Sequence, residues 1–289
     1  MKKFISLSIV LLLSMWVVAC GSEGDNNGKT LERIKSKGKV TIGFANEKPY
    51  GYKTSDGKIT GEAVEVARAI FKEIGVEEME GHVTEFGSLI PGLQAERFDV
   101  ITAGMYIAPE RCKEVAFAEP EVKYGEALAV KKGNPKNLHG YEDIAKNPDV
   151  KVSVMAGANQ VGYLKKLGVK EEQIVIAPDI PANISAVESG RVDATTMTDL
   201  TLRSALQSEE SSKVEIVDDF KQPIIDGKSV VNYGAAAFRK EDDELRKKYN
   251  EELKKLKESG KLLEIIEQFG FTEDNLPDDM TTKQLCSEK

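Results

Sequence analysis

Residues 97–102 read RFDVIT and residues 191–196 read RVDATT, and each stretch follows a predicted helix and forms a predicted strand. Each carries an Arg, an Asp two residues later and a Thr three residues after that. Two lobes of one architecture would produce this repeat, although turn chemistry alone could also give so short a match. On both sides of each stretch, short apolar runs alternate with amphipathic helical segments, which indicates an α/β fold.

The alternation runs through most of the chain. Predicted strands lie at residues 40–44, 98–105, 126–130, 151–155, 174–176, 192–197 and 233–239. Predicted helices follow residues 61–62, begin at Pro109, and cover residues 159–167, 183–189, 242–258 and 261–268. We expect a first lobe of residues 29–129 and 231–289 and a second lobe of residues 130–230. The chain would then cross between the lobes near Val130 and near Val230, and two crossings allow a hinge with a central cleft.

Composition excludes several classes of function. The chain has 289 residues, 40% of them hydrophobic, which is a length typical of about two globular domains. The formal net charge is −8, and removal of a leader containing Lys2 and Lys3 would lower it to −10, so we expect no nucleic-acid partner. His82 and His139 are the two histidines and lie far apart, which leaves little for histidine-based zinc or triad chemistry. We therefore predict no metal, no other cofactor and no catalytic residue.

The N-terminus reads as a secretory signal. Lys2 and Lys3 precede an apolar run from Phe4 to Val18, which is shorter than a membrane-spanning helix needs. The ending at Cys20 resembles a bacterial lipoprotein leader, which implies a signal peptide over residues 1–19, acylation of Cys20 and a flexible tether over residues 20–28. An uncleaved anchor is the alternative. The expected location is the cell membrane, reached through the N-terminal lipid and facing away from the cytoplasm.

Two further cysteines remain in a compartment that permits oxidation. We predict a disulfide between Cys112 and Cys286, which would hold the C-terminus against the first lobe. Two free buried thiols are the alternative.

Candidate ligand-binding residues stand where predicted strands end, because ligands of open α/β sheets bind beyond the carboxyl ends of the strands. Each of them has an ordinary structural alternative, an aromatic lid over the core or a solvated charge. Arginine can hold a carboxylate with two parallel hydrogen bonds, and aromatic faces attract a delocalised cation. The set therefore favours a small zwitterion. The candidates are Glu47, Tyr50, Phe86, Tyr106, Arg111 and Asn159.

From Val40 to Phe271 the chain resembles type II solute-binding proteins of ABC importers, in the polar amino-acid cluster. Within that cluster it is most similar to the ectoine/hydroxyectoine-binding subfamily. The segments that carry the resemblance are GFANEKPY (43–50), EFGSLIPG (85–92), TAGMYIAPERC (102–112) and YGAAAF (233–238).

The resemblance implies a two-lobed type II periplasmic-binding-protein fold and a role for each candidate. Tyr50, Phe86 and Tyr106 would form an aromatic cage around the ectoine ring. Glu47 would accept the ring N–H, and Arg111 would hold the carboxylate. Asn159, which replaces a threonine of the subfamily, would contact the carboxylate from the second lobe.

The predicted function is capture of a zwitterionic compatible solute by a monomer that delivers it to an ABC permease. A polar amino acid is the alternative ligand, although Thr198 replaces the aspartate with which amino-acid receptors of this cluster pair the ammonium group. Asp199, one residue later, could substitute for it. Two other possibilities are a dehydratase acting on cyclohexadienyl acids, with Glu47 as general acid, and a surface sensor.

Overall fold

The computed structural model of the protein describes residues 28–207 and 213–287. The predicted signal peptide (1–19), the predicted acylation site Cys20 and all but the last residue of the predicted tether (20–28) lie outside the described residues. Within the described ranges, no helix is both long enough and apolar enough to cross a membrane.

Strands and helices alternate along the chain as the sequence indicates. The strands are β1 Lys39–Phe44, β2 Tyr52–Lys53, β3 Ile59–Thr60, β4 Glu78–Val83, β5 Val100–Ile101, β6 Ala116–Phe117, β7 Val122–Tyr124, β8 Glu126–Lys131, β9 Val152–Met155, β10 Ile174–Ala177, β11 Ala194–Thr198, β12 Val214–Ile216, β13 Ile224–Ile225, β14 Lys228–Ser229, β15 Asn232–Gly234 and β16 Ala237–Phe238. The helices are α1 Lys29–Lys37, α2 Glu62–Ile74, α3 Leu89–Gln94, α4 Pro109–Cys112, α5 Tyr141–Lys146, α6 Gln160–Lys166, α7 Ile180–Glu188, α8 Asp199–Gln207, α9 Asp243–Glu258, α10 Lys261–Ile266 and α11 Thr282–Ser287.

Lobe 1 is built on a five-stranded sheet in the order β4-β1-β5-β16-β6. β1 runs parallel to β4 and β5, whereas β16 runs antiparallel to β5 and β6. Helix α2 places Val66, Ile70 and Ile74 on one buried face, and Gly75 ends the helix in a left-handed conformation that glycine adopts without strain. Helices α9 and α10 pack beside α2 and complete the core of this lobe.

Lobe 2 is built on a second five-stranded sheet in the order β10-β9-β11-β8-β12. Its central strands are buried on both faces, as expected for a sheet with helices on either side. In β8, Leu128 and Val130 belong to one core cluster, whereas Ala127 and Ala129 belong to another. This alternation with a period of two residues places β8 in the middle of the lobe.

The two lobes are joined by an antiparallel pair of short strands, β7 and β15, in which Tyr124 lies opposite Asn232. The predicted limits of the lobes, 29–129 with 231–289 and 130–230, remain a proposal. Since β8 lies wholly in the second sheet, we propose that the first crossing is at Gly125, a few residues before the limit taken from the sequence. The structure joins Cys112 of α4 to Cys286 of α11 by a disulfide.

Two predicted strands differ from the observed ones. The predicted strand at residues 98–105 is paired in the sheet only at Val100–Ile101, because the chain then turns toward the cleft at Gly104, where φ is +57°. The predicted strand at residues 233–239 is two strands: β15 pairs with β7 at the crossing, and β16 enters the sheet of lobe 1.

Candidate ligand-binding site

A cavity lies between the lobes, at the carboxyl ends of strands from both sheets. Residues after β1, β4 and β5 line it from lobe 1, and residues at the ends of β9 and β11 and the start of α6 line it from lobe 2. All six predicted ligand-binding residues are among its walls. The lining residues are Glu47, Tyr50, Phe86, Ala103, Gly104, Tyr106, Arg111, Met155, Ala158, Asn159, Gln160, Thr196, Met197 and Thr198.

Two of the aromatic side chains of the cavity are held in place by a tyrosine behind them. Tyr124 packs against both Tyr50 and Tyr106, with ring centroids 5.1 Å apart in each pair. The Tyr124 hydroxyl donates a hydrogen bond to the carbonyl oxygen of Gly104. Because Tyr124 is buried and fixed in this way, it supports from behind two rings that line the cavity.

Arg111 supplies the positive charge of the site. Its side chain is buried, and its guanidinium lies over the Phe86 ring at 5.3 Å from the centroid. Nη1 donates to the carbonyl oxygen of Tyr106 (3.0 Å), and Nη2 donates to that of Gly157 in lobe 2 (2.9 Å). In the part of the chain that the structure describes, Arg111 forms no ion pair with an acidic side chain. Burial lowers its pKa, and a buried cation without an anion favours the binding of a negatively charged group.

Glu47 supplies a hydrogen-bond acceptor in the lining of the cavity. The side chain is 5% exposed, and its Oε1 accepts a hydrogen bond from the hydroxyl of Thr201 at 2.7 Å. Burial raises the pKa of Glu47 to about 7, and the hydrogen bond from Thr201 opposes part of that rise. The carboxyl group therefore titrates near neutral pH and accepts hydrogen bonds from a cation most strongly above that pH.

Lobe 2 closes the cavity. Asn159 is half-buried at the N-cap position of α6, next to the buried Gln160. The lobes also touch at two glycines, since a Cβ atom on Gly157 would lie 2.7 Å from the Cα atom of Gly87. Absence of side chains at these positions lets the two backbones meet, so the structure represents the closed form.

The two residues at the end of β11 have different environments. Thr198 lines the cavity and accepts a hydrogen bond from the Tyr50 hydroxyl at 2.9 Å. Asp199 instead forms an ion pair with Arg203 at 2.8 Å, and its side chain is 38% exposed. Asp199 is thus turned away from the position where an ammonium group of the ligand would need it.

Some lining residues and their supports were not predicted from the sequence. Gln160 directly follows the predicted residue Asn159, and Thr196 is the last residue of the 191–196 repeat. A search that included the neighbours of each predicted strand end would have found both. Met155 and Met197 look like ordinary core residues in the sequence, and no pattern there indicates that they line a binding site. Tyr124 lies before a predicted strand rather than after one, and only packing reveals its role.

A two-lobed chain with a cavity between its lobes is the architecture of an extracytoplasmic binding protein, and the comparisons agree. The model of the bacterial extracellular solute-binding proteins, family 3, matches residues 40–273, and the chain belongs to this family. A probable amino-acid ABC transporter periplasmic-binding protein, y4tE of Sinorhizobium fredii, is 42% identical over 262 residues, which cover 89% of this chain and 86% of that protein. The arginine-binding extracellular protein ArtP of Bacillus subtilis is 30% identical over 277 residues, which cover 94% of this chain and 99% of ArtP.

Solved structures show the same fold. EhuB in complex with hydroxyectoine superposes with a TM-score of 0.82 at 36% identity, over 91% of this chain and 100% of EhuB. The ancestral amino acid-binding protein AncCDT-1, a precursor of cyclohexadienyl dehydratase, superposes with a TM-score of 0.71 at 30% identity, over 83% of this chain and 99% of that one. The predicted two-lobed type II periplasmic-binding fold is confirmed. The protein is a solute-binding protein and not an enzyme, as its relatives are binding proteins of ABC transporters.

Proposed function

We propose that the protein captures a small zwitterion of the ectoine type, ectoine or hydroxyectoine, and delivers it to an ABC permease. The observation that carries this proposal is the buried guanidinium of Arg111, which has no acidic partner among the described residues and lies against the aromatic side of the cavity. A carboxylate bound there would supply the missing negative charge and could form two parallel hydrogen bonds with the guanidinium.

The rest of the cavity suits a ring that carries a delocalised cation. The faces of Tyr50, Phe86 and Tyr106 would cover the ring, each contact contributing about 0.5–2 kcal/mol. Glu47 would accept a hydrogen bond from a ring N–H. Ectoine has this chemistry, a carboxylate at one end and a cyclic amidinium at the other. Asn159 would complete the carboxylate site from lobe 2.

The second candidate ligand is a polar amino acid, which the names of several relatives favour. An α-amino acid would need an acidic group for its ammonium in addition to a partner for its carboxylate. Thr198 supplies only a hydroxyl, and Asp199 is paired with Arg203. Glu47 would then be the one carboxyl group in the cavity lining, so the geometry favours a cyclic amidinium.

For the location of the protein, we propose attachment to the outer face of the cell membrane through acylated Cys20. The family description and the printed name of the Sinorhizobium relative support a position outside the cytoplasm. The lipid anchor rests on the leader sequence alone. Radiolabelled palmitate should enter the wild-type protein and not the Cys20→Ala variant.

Calorimetry on the mature protein tests the ligand. Ectoine, hydroxyectoine, glycine betaine, proline, glutamine and arginine would be titrated separately under the same conditions. We expect heat with ectoine or hydroxyectoine and little with the amino acids. Tight binding of glutamine or arginine with no heat from either ectoine would favour the second candidate.

A further inference from the structure

A chain of hydroxyl groups links the lobes at the wall of the cavity. The Tyr50 hydroxyl donates to Thr198 Oγ1 at 2.9 Å, and the Thr198 hydroxyl donates to Thr201 Oγ1 at 2.7 Å. The Thr201 hydroxyl in turn donates to Glu47 Oε1 at 2.7 Å. We call these four side chains, Tyr50, Thr198, Thr201 and Glu47, the hydroxyl relay.

Both ends of the hydroxyl relay belong to lobe 1, and its middle belongs to lobe 2. Tyr50 and Glu47 follow β1, whereas Thr198 ends β11 and Thr201 lies in the first turn of α8. A further hydrogen bond from the Thr201 backbone N–H to Thr198 Oγ1, at 3.1 Å, fixes the two threonines relative to each other. The relay is thus a preformed pair of hydroxyls on lobe 2 that meets Tyr50 and Glu47 of lobe 1 in the arrangement of the lobes that the structure shows.

The relay has a direction. Each of its three hydroxyl groups donates toward Glu47, and each donor in such a chain polarises the next, so the last one stabilises negative charge on the carboxylate. All four side chains are buried, with Thr201 fully so, which keeps water from competing for these bonds. Among the described residues, no group donates a hydrogen bond to the second oxygen, Glu47 Oε2.

We propose that Thr198 and Thr201 are positioning residues that act through Glu47: on closure, Thr201 occupies Oε1, fixes the plane of the carboxylate and leaves Oε2 for an N–H of the ligand. This inference rests on the proposed function and deepens it. Since the relay keeps Glu47 an acceptor, the ligand must present an N–H donor at this end of the cavity. A group that can only accept hydrogen bonds is disfavoured there.

The test uses two variants of one hydroxyl and a matched control. Thr201→Val removes the hydroxyl at nearly constant volume, and Thr201→Ser retains it. Thr195→Val removes a different buried hydroxyl, which donates to the Ser153 carbonyl oxygen within lobe 2 and is not part of the relay. Ectoine affinity of the mature protein is measured by calorimetry between pH 6 and pH 8.5.

We expect Thr201→Val to weaken ectoine binding about tenfold at pH 7, the effect of one hydrogen bond to a charged group. The midpoint of its affinity against pH should also move to higher pH, which loss of packing alone would not produce. Tyr50 and Tyr124 are titratable groups near Glu47 that interact with its charge, and both ionise only in strongly alkaline solution, outside this range. Glu62 and Glu126 are buried acids that also interact with Tyr50, and burial raises the pKa of Glu126 to about 7. Thr201 donates to neither of them, so the difference between Thr201→Val and wild type reports on Glu47. Thr201→Ser and Thr195→Val should bind as the wild type does. Wild-type behaviour of Thr201→Val across the whole range, or equal weakness of Thr201→Ser, would overturn the proposal.

The relay can also be tested without a ligand, which separates its failure from failure of the proposed function. If wild-type protein releases no heat with ectoine, the proposed function fails while the relay remains testable. Carbon-13 NMR of labelled glutamate, with the Glu47 signal assigned by Glu47→Gln, gives the midpoint of Glu47 ionisation in each protein. A higher midpoint in Thr201→Val than in wild type and Thr201→Ser supports the relay, and equal midpoints overturn it.

Discussion

The guanidinium of Arg111 donates to two carbonyl oxygens, one from each lobe, and stands against the Phe86 ring. These neutral acceptors orient the group but leave its charge for a ligand. We expect Arg111→Ala to weaken ectoine binding at least about 30-fold, because loss of a buried charged pair costs about 2–5 kcal/mol. Calorimetry measures the effect.

Arg203→Ala is the matched control for Arg111→Ala. Arg203 is 57% exposed and pairs with Asp199 outside the cavity, so its removal should leave ectoine affinity unchanged. Arg111→Ala that bound ectoine with wild-type affinity would show that the carboxylate site lies elsewhere.

Gly104 determines where the Tyr50 ring can lie. Its φ is +57°, and a Cβ atom there would lie 2.4 Å from Tyr50 Cδ1. Gly57 has a φ of +85°, and a Cβ atom added to it would have no other atom within 4 Å, so Gly57→Ala introduces backbone strain without a clash. We expect Gly57→Ala to lower the free energy of unfolding by about 1–2 kcal/mol and leave ectoine binding unchanged.

Gly104→Ala should lower the free energy of unfolding further and also weaken ectoine binding, because Tyr50 must move. Urea unfolding and calorimetry on both variants measure the two effects. Equal behaviour of the two variants would mean that Tyr50 adjusts without affecting the cavity.

Among the elements, the sequence predicts those that depend on local pattern and misses those set by distant partners. The apolar spacing in α2 is enough to predict that helix, and the alternation of apolar residues in β1 is enough to predict that strand. The division of residues 233–239 between β15 and β16 does not follow from local pattern, since β15 pairs with β7 and β16 with β5 and β6. Helix α7 begins three residues before the predicted start because Asp179 caps it, accepting a hydrogen bond from the Ala182 N–H.

The sequence predicted the residues of the candidate site that stand at strand ends. It did not predict the residues that support them from behind the cavity wall. All six candidates line the cavity because loops at the carboxyl ends of strands meet there. Tyr124, Thr201 and Glu126 act from behind this layer, and nothing in their local sequence distinguishes them from core residues. Their partners lie on other elements, so only the folded chain shows what they hold.

The disulfide joins two short helices, α4 and α11, across 174 residues of sequence. A cross-link over so long a loop restricts the unfolded chain, and its removal is expected to cost about 2–5 kcal/mol. We expect the Cys112→Ser, Cys286→Ser double variant to unfold at correspondingly lower urea concentration. Reduced wild-type protein should show the same loss, and identical stability of oxidised and reduced protein would contradict this prediction.

At the scale of the whole molecule, the crossing region contains a buried acid that connects the two lobes. Glu126, at the start of β8, accepts hydrogen bonds from Gln160 Nε2 at 2.7 Å and Asn232 Nδ2 at 2.8 Å. Gln160 belongs to lobe 2, and Asn232 lies in the returning strand β15. The Tyr106 hydroxyl also donates to Glu126, at 3.4 Å. The closed arrangement of the lobes and the position of one cavity ring therefore share a common anchor.

Several buried acids make the stability of the ligand-free protein depend on pH. Burial raises the pKa values of Glu47, Glu121 and Glu126 to about 7, from 4.5. Between these values the folded protein binds more protons than the unfolded chain, so the free energy of unfolding falls as pH rises. The slope reaches about 1.4 kcal/mol per pH unit for each carboxyl group.

Urea unfolding at pH 5 and at pH 8 measures this effect, with greater stability expected at pH 5. Glu121→Gln should reduce the slope of stability against pH, because an amide does not titrate. The substitution should preserve the local structure, since Glu121 accepts hydrogen bonds from the Tyr249 hydroxyl and the Ala236 N–H and an amide oxygen can do the same. Glu171→Gln, at a side chain 84% exposed, should leave the slope unchanged. Stability that rises between pH 5 and pH 8 would contradict the prediction.

The most direct test of the account is a comparison of ectoine with the same cyclic amidine lacking its carboxylate, 2-methyl-1,4,5,6-tetrahydropyrimidine, by calorimetry on the mature protein. On the proposed function, the aromatic side chains and Glu47 would hold either compound, whereas Arg111 would gain an anion only from ectoine. We predict that ectoine binds at least about 100-fold more tightly, a difference of about 3 kcal/mol. Equal affinity for the two compounds, or no binding of ectoine, would contradict the central claim.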